Sequence, residues 1–330
     1  MASERFLVIG SNSFSGASFV ARALREGAEV LGISRSPEPD DAFLPYKWVA
    51  HERFSFRQGD LNRDLDAIEA AALEFQPDYV VNFAAQGMVA QSWTRPEHWF
   101  QTNTLAMVRL HDRMRTWKFL KKLVHASTPE VYGSTAGLVD ETARWNPSTP
   151  YAVSKAACDM NLLAFHRAYG FPVVLTRAAN VCGPGQQLYR IIPKTILCVL
   201  TGRKLRLEGG GRSVRSFIHI NDVVEGTLRA ARQGAPGEVY HLATDRAQTI
   251  RDLVLEICRQ LGASFDDCVE ITEGRLGQDA AYLLDWTKAR TQLGFRPERT
   301  VEDAIRETIA WIQRHLAAFR ELPAEYVHKE

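Results

Sequence analysis

The chain has 330 residues, enough for one large domain or two moderate ones with ample core. Its 40 basic and 39 acidic residues leave a formal charge of +1, which excludes a broad field that would recruit nucleic acid or an anionic membrane. The five cysteines, Cys158, Cys182, Cys198, Cys258 and Cys268, are odd in number and never paired as CxxC, which argues against a disulfide framework or a structural zinc, and no run of about 18 apolar residues offers a membrane span.

In chain order, Arg5 leads straight into an apolar strand at 5–9 and then a glycine loop, with no secretory leader, so a cytoplasmic protein is expected. Further strands are predicted at 29–33, 79–83, 122–126 and 173–177, and helices at 16–26, 64–75, 96–117 and 150–169. Short β-rich runs alternating with amphipathic stretches are the pattern of βαβ units, so the fold class is α/β, a doubly wound parallel sheet. Beyond Asn180 the alternation breaks into a proline and glycine segment, a helix at 191–201, a basic loop at 202–215, and helices at 222–232, 250–261 and 301–316. This predicts a first domain over 1–180 and a smaller ligand lobe over 181–330, part of 214–245 returning to the first, with a cleft between them.

The loop Gly10-Ser-Asn-Ser-Phe-Ser-Gly16 follows the first strand and opens the first helix, where backbone amides and the helix dipole face a pyrophosphate. Asn12, Phe14 and Ser15 complete that contact surface, and Ser13 stands where the middle glycine of the pattern is usual, adding a Cβ where a diphosphate approaches. After the second strand Ser34-Arg35-Ser36 replaces the acidic residue that commonly holds an adenosine ribose. Arg35 is suited to a 2′-phosphate, which favours NADP over NAD; otherwise it is a surface arginine. Asp60 and Leu61 are placed beside the adenine, and Phe83, Ala84 and Ala85 under the cofactor.

Tyr151 and Lys155 are four apart on one predicted helix, so they share a face. A lysine ammonium beside a phenol favours its ionised form, and a phenol with an ordinary pKa of about 10 can then serve as a base nearer neutrality. The segment Ser127-Thr-Pro-Glu-Val-Tyr-Gly133 lies upstream, and Glu130 after Pro129 is otherwise explicable as a charge at a helix start. His125, His219 and His241 sit beside apolar runs and read as structural; no His and carboxylate spacing suggests a metal.

Taken together, the glycine loop, Asp60-Leu61, Asn82-Phe-Ala-Ala, Ser127–Gly133, Tyr151-Ala-Val-Ser-Lys155, Arg177-Ala-Ala-Asn-Val-Cys-Gly-Pro184, Arg215-Ser-Phe-Ile-His and Arg275-Leu-Gly-Gln-Asp279 resemble the extended short-chain dehydrogenase/reductase family over nearly the whole chain. The chain looks most like the nucleotide-sugar 4,6-dehydratases. That resemblance implies a Rossmann domain, a C-terminal nucleotide-sugar lobe, and a homodimer joined through a four-helix bundle of the helices at 96–117 and 150–169. It implies that Thr128 binds the sugar O4, that Tyr151 takes its proton, and that Lys155 assists Tyr151 and holds the nicotinamide ribose. Glu130 then takes the C5 proton during loss of the C6 hydroxyl, giving a 4-keto-6-deoxy sugar, with NADP or NAD tightly bound and recycled.

Many dTDP-glucose dehydratases carry an aspartate where this chain has Pro129, and GDP-mannose dehydratases resemble it more closely there, which with Arg35 tilts the expectation toward GDP-sugars. For the substrate, Gln86 and Ser92 are expected around the hexose, Asn180 at the diphosphate, and Arg215 and Arg275 at phosphate or ribose. Trp93 and Trp99 are expected mainly in helix packing. The rival enzymes are a UDP-glucuronate decarboxylase and a 4-epimerase, and the rival outside enzymology is a cofactor-sensing regulator.

Overall fold

Phe6, Leu7, Val8 and Ile9 are each at most 1% exposed, so the first strand is covered on both faces, as a central parallel strand must be. The structure, a computed structural model, describes residues 3–135, 137–273 and 281–328. Its strands are β1 (Arg5–Ile9), β2 (Glu29–Ser34), β3 (Phe54–Gln58), β4 (Tyr79–Asn82), β5 (Lys122–Ala126), β6 (Leu138–Val139), β7 (Val173–Ala178), β8 (Asn180–Cys182), β9 (Leu205–Glu208), β10 (Val214–His219), β11 (Val239–Leu242), β12 (Ala247–Thr249), β13 (Val269–Thr272) and β14 (Ala281–Leu284). Seven of them form one sheet in the order β3-β2-β1-β4-β5-β7-β11, every neighbour parallel. The order reverses between β1 and β4, and a crevice opens at such a switch point beyond the carboxyl ends of the strands.

The helices are α1 (Phe14–Arg25), α2 (Leu65–Phe75), α3 (Pro96–Phe100), α4 (Met107–Met114), α5 (Pro150–Tyr169), α6 (Ile191–Leu200), α7 (Ile220–Gln233), α8 (Ile250–Leu261), α9 (Phe265–Cys268), α10 (Thr287–Leu293), α11 (Val301–Arg314) and α12 (Leu316–Arg320). Two apolar clusters sandwich the large sheet: Phe19, Val20, Val224 and Leu228 of α1 and α7 lie on one face, and Ile68, Leu110 and Leu162 of α2, α4 and α5 on the other. A third cluster joins Ile192 and Ile196 of α6, Leu253 and Ile257 of α8, and Ile305 and Ile312 of α11, with Ala42 from the N-terminal half. Between α7 and α8 the chain returns to the large sheet through β11, while β10 carries its own pairings with β8, β12 and β14.

Two expectations are corrected. The helix read as continuous over 96–117 is split, because Gln101–Ala106 forms a π-turn between α3 and α4. That turn lets Asn103 donate to the carbonyl of Gln86 at 3.1 Å and to Ser154 Oγ at 3.0 Å, contacts that an uninterrupted 3.6-residue period does not anticipate. The basic stretch at 202–215 is also no simple loop: Leu205 and Leu207 of β9 are buried while Arg206 and Glu208 face out, an alternation hidden by the surrounding charges. No helix among the described residues is long and apolar enough to cross a membrane.

Candidate active site

The glycine loop is shaped by close backbone approach. Gly10 has φ +82°, and a Cβ there would lie 2.6 Å from the backbone nitrogen of Ala84; a Cβ on Gly16 would lie 2.1 Å from the Gly10 carbonyl oxygen. Glycine alone lets the loop lie against β4 and turn its amides toward the crevice at the start of α1. Ser13 caps α1: its Oγ accepts the Gly16 N–H at 3.1 Å and donates to the Gly10 carbonyl at 2.6 Å. Its hydroxyl therefore closes the loop in addition to bringing the Cβ noted in the sequence. This cradle fits a dinucleotide, with a narrow loop, a helix N-terminus and the switch point brought together.

Asn12 and Ser34 are bound to each other's segments. The Asn12 N–H donates to Ser34 Oγ at 2.9 Å, and Asn12 Nδ2 donates to the Ser36 carbonyl at 3.1 Å. These bonds fix the turn that presents Arg35 to the cleft, where Gln58 Nε2 donates to its carbonyl at 3.0 Å. Asp60 Oδ1 accepts the Asn62 N–H at 2.8 Å, a local turn that sets Asp60 and Leu61 at the same rim. Phe83, Ala84, Ala85 and Gln86 continue along the cleft, Asn103 Oδ1 accepting the Gln86 N–H at 2.8 Å.

Helix α5 starts where Thr149 Oγ1 accepts the Ala152 N–H at 3.1 Å with Pro150 next, and ends at Gly170 in the left-handed region at φ +66°. It carries Tyr151 and Lys155 into the cleft. Lys155 is buried at 2% exposure, its Nζ donating to the Ala126 carbonyl at 2.8 Å and standing 3.1 Å from His125 Nε2. Burial pushes its pKa below the ordinary lysine value. The facing wall is the turn Pro129–Tyr132, capped by Thr128, whose Oγ1 accepts the Glu130 N–H at 3.2 Å. That bond occupies an oxygen lone pair and leaves the hydroxyl proton of Thr128 to be donated elsewhere.

Thr128, Glu130, Tyr151 and Lys155 thus line one cleft of about 1340 Å³ together with Gly10, Asn12, Ser13, Phe14, Ser15, Ser34, Arg35, Ser36, Asn180 and Arg215. Gly16 lies behind the loop surface. Ser92 is fully buried, donates to the Val89 carbonyl at 2.6 Å and is not among the residues lining the cleft. Arg275 lies outside the described residues. Trp93 is 52% exposed and Trp99 is buried against His328; neither lines the cleft.

Sequence reading missed several lining residues. Gln186, Tyr189 and Arg190 follow Asn180 in the same proline and glycine segment, whose turn residues were the available signal. Tyr326 arrives from the C-terminal tail, its hydroxyl 3.5 Å from Gln86 Oε1 and its ring edge-on to Tyr189. Nothing local in the sequence announces that long-range return.

The sequence pattern described as GDP-mannose 4,6 dehydratase matches residues 7–308. The dTDP-glucose 4,6-dehydratase of Streptomyces antibioticus is 34% identical over 320 residues, covering 94% of this chain and 93% of that one. The crystal structure of DesIV, a dTDP-glucose 4,6-dehydratase from Streptomyces venezuelae with NAD and TYD bound, superposes with a TM-score of 0.88 at 31% identity over 95% of this chain and 98% of that one. A UDP-glucose 4-epimerase from Thermotoga maritima, solved with UDP-glucose, reaches a TM-score of 0.86 at 26% identity, covering 94% of this chain and 99% of that one.

Proposed function

The chain belongs to the GDP-mannose 4,6 dehydratase family, within the nucleotide-sugar 4,6-dehydratases of short-chain dehydrogenase/reductase type, and on that premise we propose how its residues divide the reaction. It is a nicotinamide-dependent enzyme that removes water from a nucleoside diphosphate hexose to leave a 4-keto-6-deoxy sugar. The observation that carries the assignment of roles is the shared cleft: Thr128 and Glu130 on one capped turn, Tyr151 and Lys155 on the helix opposite, and the glycine loop at its edge.

Tyr151, as phenolate, takes the proton of the sugar O4 while Thr128 donates its hydroxyl proton to that oxygen and fixes the ring. Lys155 binds the nicotinamide ribose and stabilises the phenolate. A nicotinamide held by the Gly10–Gly16 loop and Lys155 would supply the acceptor for the C4 hydride and its donor back to C6. Once C4 is a ketone the C5 proton is acidic, and the Glu130 carboxylate removes it. Pro129 has no proton to offer, so Glu130 passes its acquired proton to the departing C6 oxygen, which leaves as water. The proton held by Tyr151 balances the one that returns to C5, so only water is lost overall. A simple epimerization needs no such carboxylate, and Glu130 is what favours elimination.

Asn180 and Arg215 are assigned to the diphosphate and Gln86 to the hexose, with the cofactor loop at Gly10–Gly16 and the ribose edge at Ser34, Arg35, Asp60 and Leu61. NADP is proposed as the preferred form because β2 ends at Ser34 and Arg35 follows it, without a carboxylate for the ribose diol, although DesIV was solved with NAD. A homodimer is proposed through α3 to α5, supported by Phe100, Leu105, Val153, Met160 and Tyr169, which leave 38% to 61% of their surface exposed along these helices.

Incubation with GDP-mannose, dTDP-glucose, CDP-glucose, UDP-N-acetylhexosamines and UDP-glucuronate, followed by mass spectrometry and proton NMR, tests the reading. Loss of one water from one of them is the expected result. Loss of carbon dioxide from UDP-glucuronate, or isomerization without mass change, would replace it.

A further inference from the structure

His125 takes part in a buried hydrogen-bond chain that the dehydration steps do not use. Asn82 Oδ1 accepts the Ala84 N–H at 3.0 Å, which fixes the amide so that Nδ2 points the other way. From there Nδ2 donates to Met107 Sδ and reaches His125 Nδ1, both at 3.1 Å. With a donor facing it, Nδ1 must be the unprotonated nitrogen, and the single proton of a neutral imidazole sits on Nε2. Burial keeps this imidazole neutral, holding its pKa far below the ordinary value. Its Nε2–H points at Lys155 Nζ, 3.1 Å away, while Nζ donates to the Ala126 carbonyl at 2.8 Å. An ammonium has no lone pair to accept that N–H; an amine has one.

We propose that His125 is a positioning residue that stores Lys155 as a free amine in the cofactor-free chain, and that Lys155 takes up one proton from solvent when it moves to the nicotinamide ribose. The idea rests on the reading of Lys155 as the ribose-binding lysine and adds a linkage between cofactor binding and proton uptake. The groups around Lys155 are consistent with it. Asn82 on β4 and His125 on β5 are neutral, His111 on α4 is buried and neutral, and Cys158 on α5 is a thiol pushed up to about 12 by burial. Asp159, one turn further along α5, is already bound by Arg177 and Ser127. His111, His125 and Cys158 bring possible ligand atoms within 4.8 Å of one another, and Cys158 Sγ stands 3.7 Å from His125 Nε2, but that nitrogen faces Lys155 Nζ more closely, at 3.1 Å, and Nδ1 faces Asn82, so the trio is better explained by this chain than by an ion.

The test is calorimetric titration of the cofactor-stripped chain with NAD or NADP in buffers of different ionization heat. Near pH 8 the wild type is expected to take up about one proton per chain, the linkage of one lysine changing state. In Asn82→Asp the carboxylate accepts from Nδ1, the tautomer reverses, Nε2 turns its lone pair to Lys155, and the lysine is already an ammonium; uptake falls to about zero. A nitrogen NMR spectrum of isotope-labelled histidine reports the His125 tautomer independently of any variant that fails to fold. Absent uptake in the wild type, equal uptake in Asn82→Asp, or an Nδ1–H tautomer for His125 in the free chain would overturn the proposal. Because the cofactor alone is used, a failed dehydration assay leaves this result readable.

Discussion

Asp159 and Arg177 meet at 3.0 Å with neither side chain exposed to solvent, a charge pair that ties the helix bearing Tyr151 and Lys155 to strand β7. Ser127, the residue before Thr128, donates to the same carboxylate, and Arg177 also donates to the Tyr132 hydroxyl. The two walls of the cleft are thereby held by one buried network. Removing one partner of such a pair leaves an uncompensated charge. Asp159→Asn is expected to cost about 3–5 kcal/mol of stability in urea unfolding. A loss below 1 kcal/mol, at roughly the level of an exposed pair, would show that the network carries little.

For Glu130→Gln the expected outcome is retained cofactor with product formation reduced by about 10²–10⁴-fold, the usual scale for a lost proton-transfer group. Deuterium exchange at C5 of the substrate, followed by NMR in heavy water, should fall in parallel. Continued exchange at the wild-type rate would move the base elsewhere.

Arg35→Asp should reverse the cofactor preference toward NAD. The exchange replaces a planar cation suited to a 2′-phosphate by a carboxylate suited to a ribose diol. Equilibrium binding of both cofactors to the stripped protein checks this, and unchanged affinity for both would discard the role of Arg35.

Met160 is 56% exposed on α5 and Leu105 is 42% exposed in the π-turn. Placing a charge at either position, as in Met160→Glu, should shift the protein to a monomer in light scattering at micromolar concentration. An unaltered mass would place the dimer contact on another surface.

His111 is fully buried, neither ring nitrogen has a hydrogen-bond partner among the described residues, and burial pushes its pKa down to about 3. Between that value and the ordinary 6.5 the unfolded chain binds a proton that the folded chain refuses, so this residue makes stability fall as pH drops through the window. His111→Leu should flatten the dependence of the urea midpoint on pH between about 6 and 4, while other buried histidines keep part of the slope. An unchanged slope would refute the assignment.

The sheet was legible because its central strands are unbroken apolar runs, and α5 because Thr149, Pro150 and Gly170 mark both ends. The cleft wall at Thr128 and Glu130 was legible from a short motif whose capping turn is local in sequence. What escaped depends on distance along the chain. Asn103 reaching Gln86 and Tyr326 returning over the cleft rest on tertiary packing, as does the burial of Ser92, whose hydroxyl bonds the Val89 carbonyl. The role of Ser13 as a cap was also hidden, since the glycine pattern accounts for absent side chains and says nothing of a hydroxyl that bonds its own loop.

The π-turn at Gln101–Ala106 makes the segment from Pro96 to Met114 two half-helices with different phases. Such a turn carries one residue more than an α-helical turn. A deletion of one residue inside it would leave a smoother helix and a worse protein. Regularizing the backbone would rotate α3 by roughly 100° against α4, withdrawing either Asn103 from Gln86 or Met107 from Asn82. The irregularity acts as a gear tooth, setting two neighbouring faces to engage the end of β4 at Asn82 and the segment beyond it at Gln86.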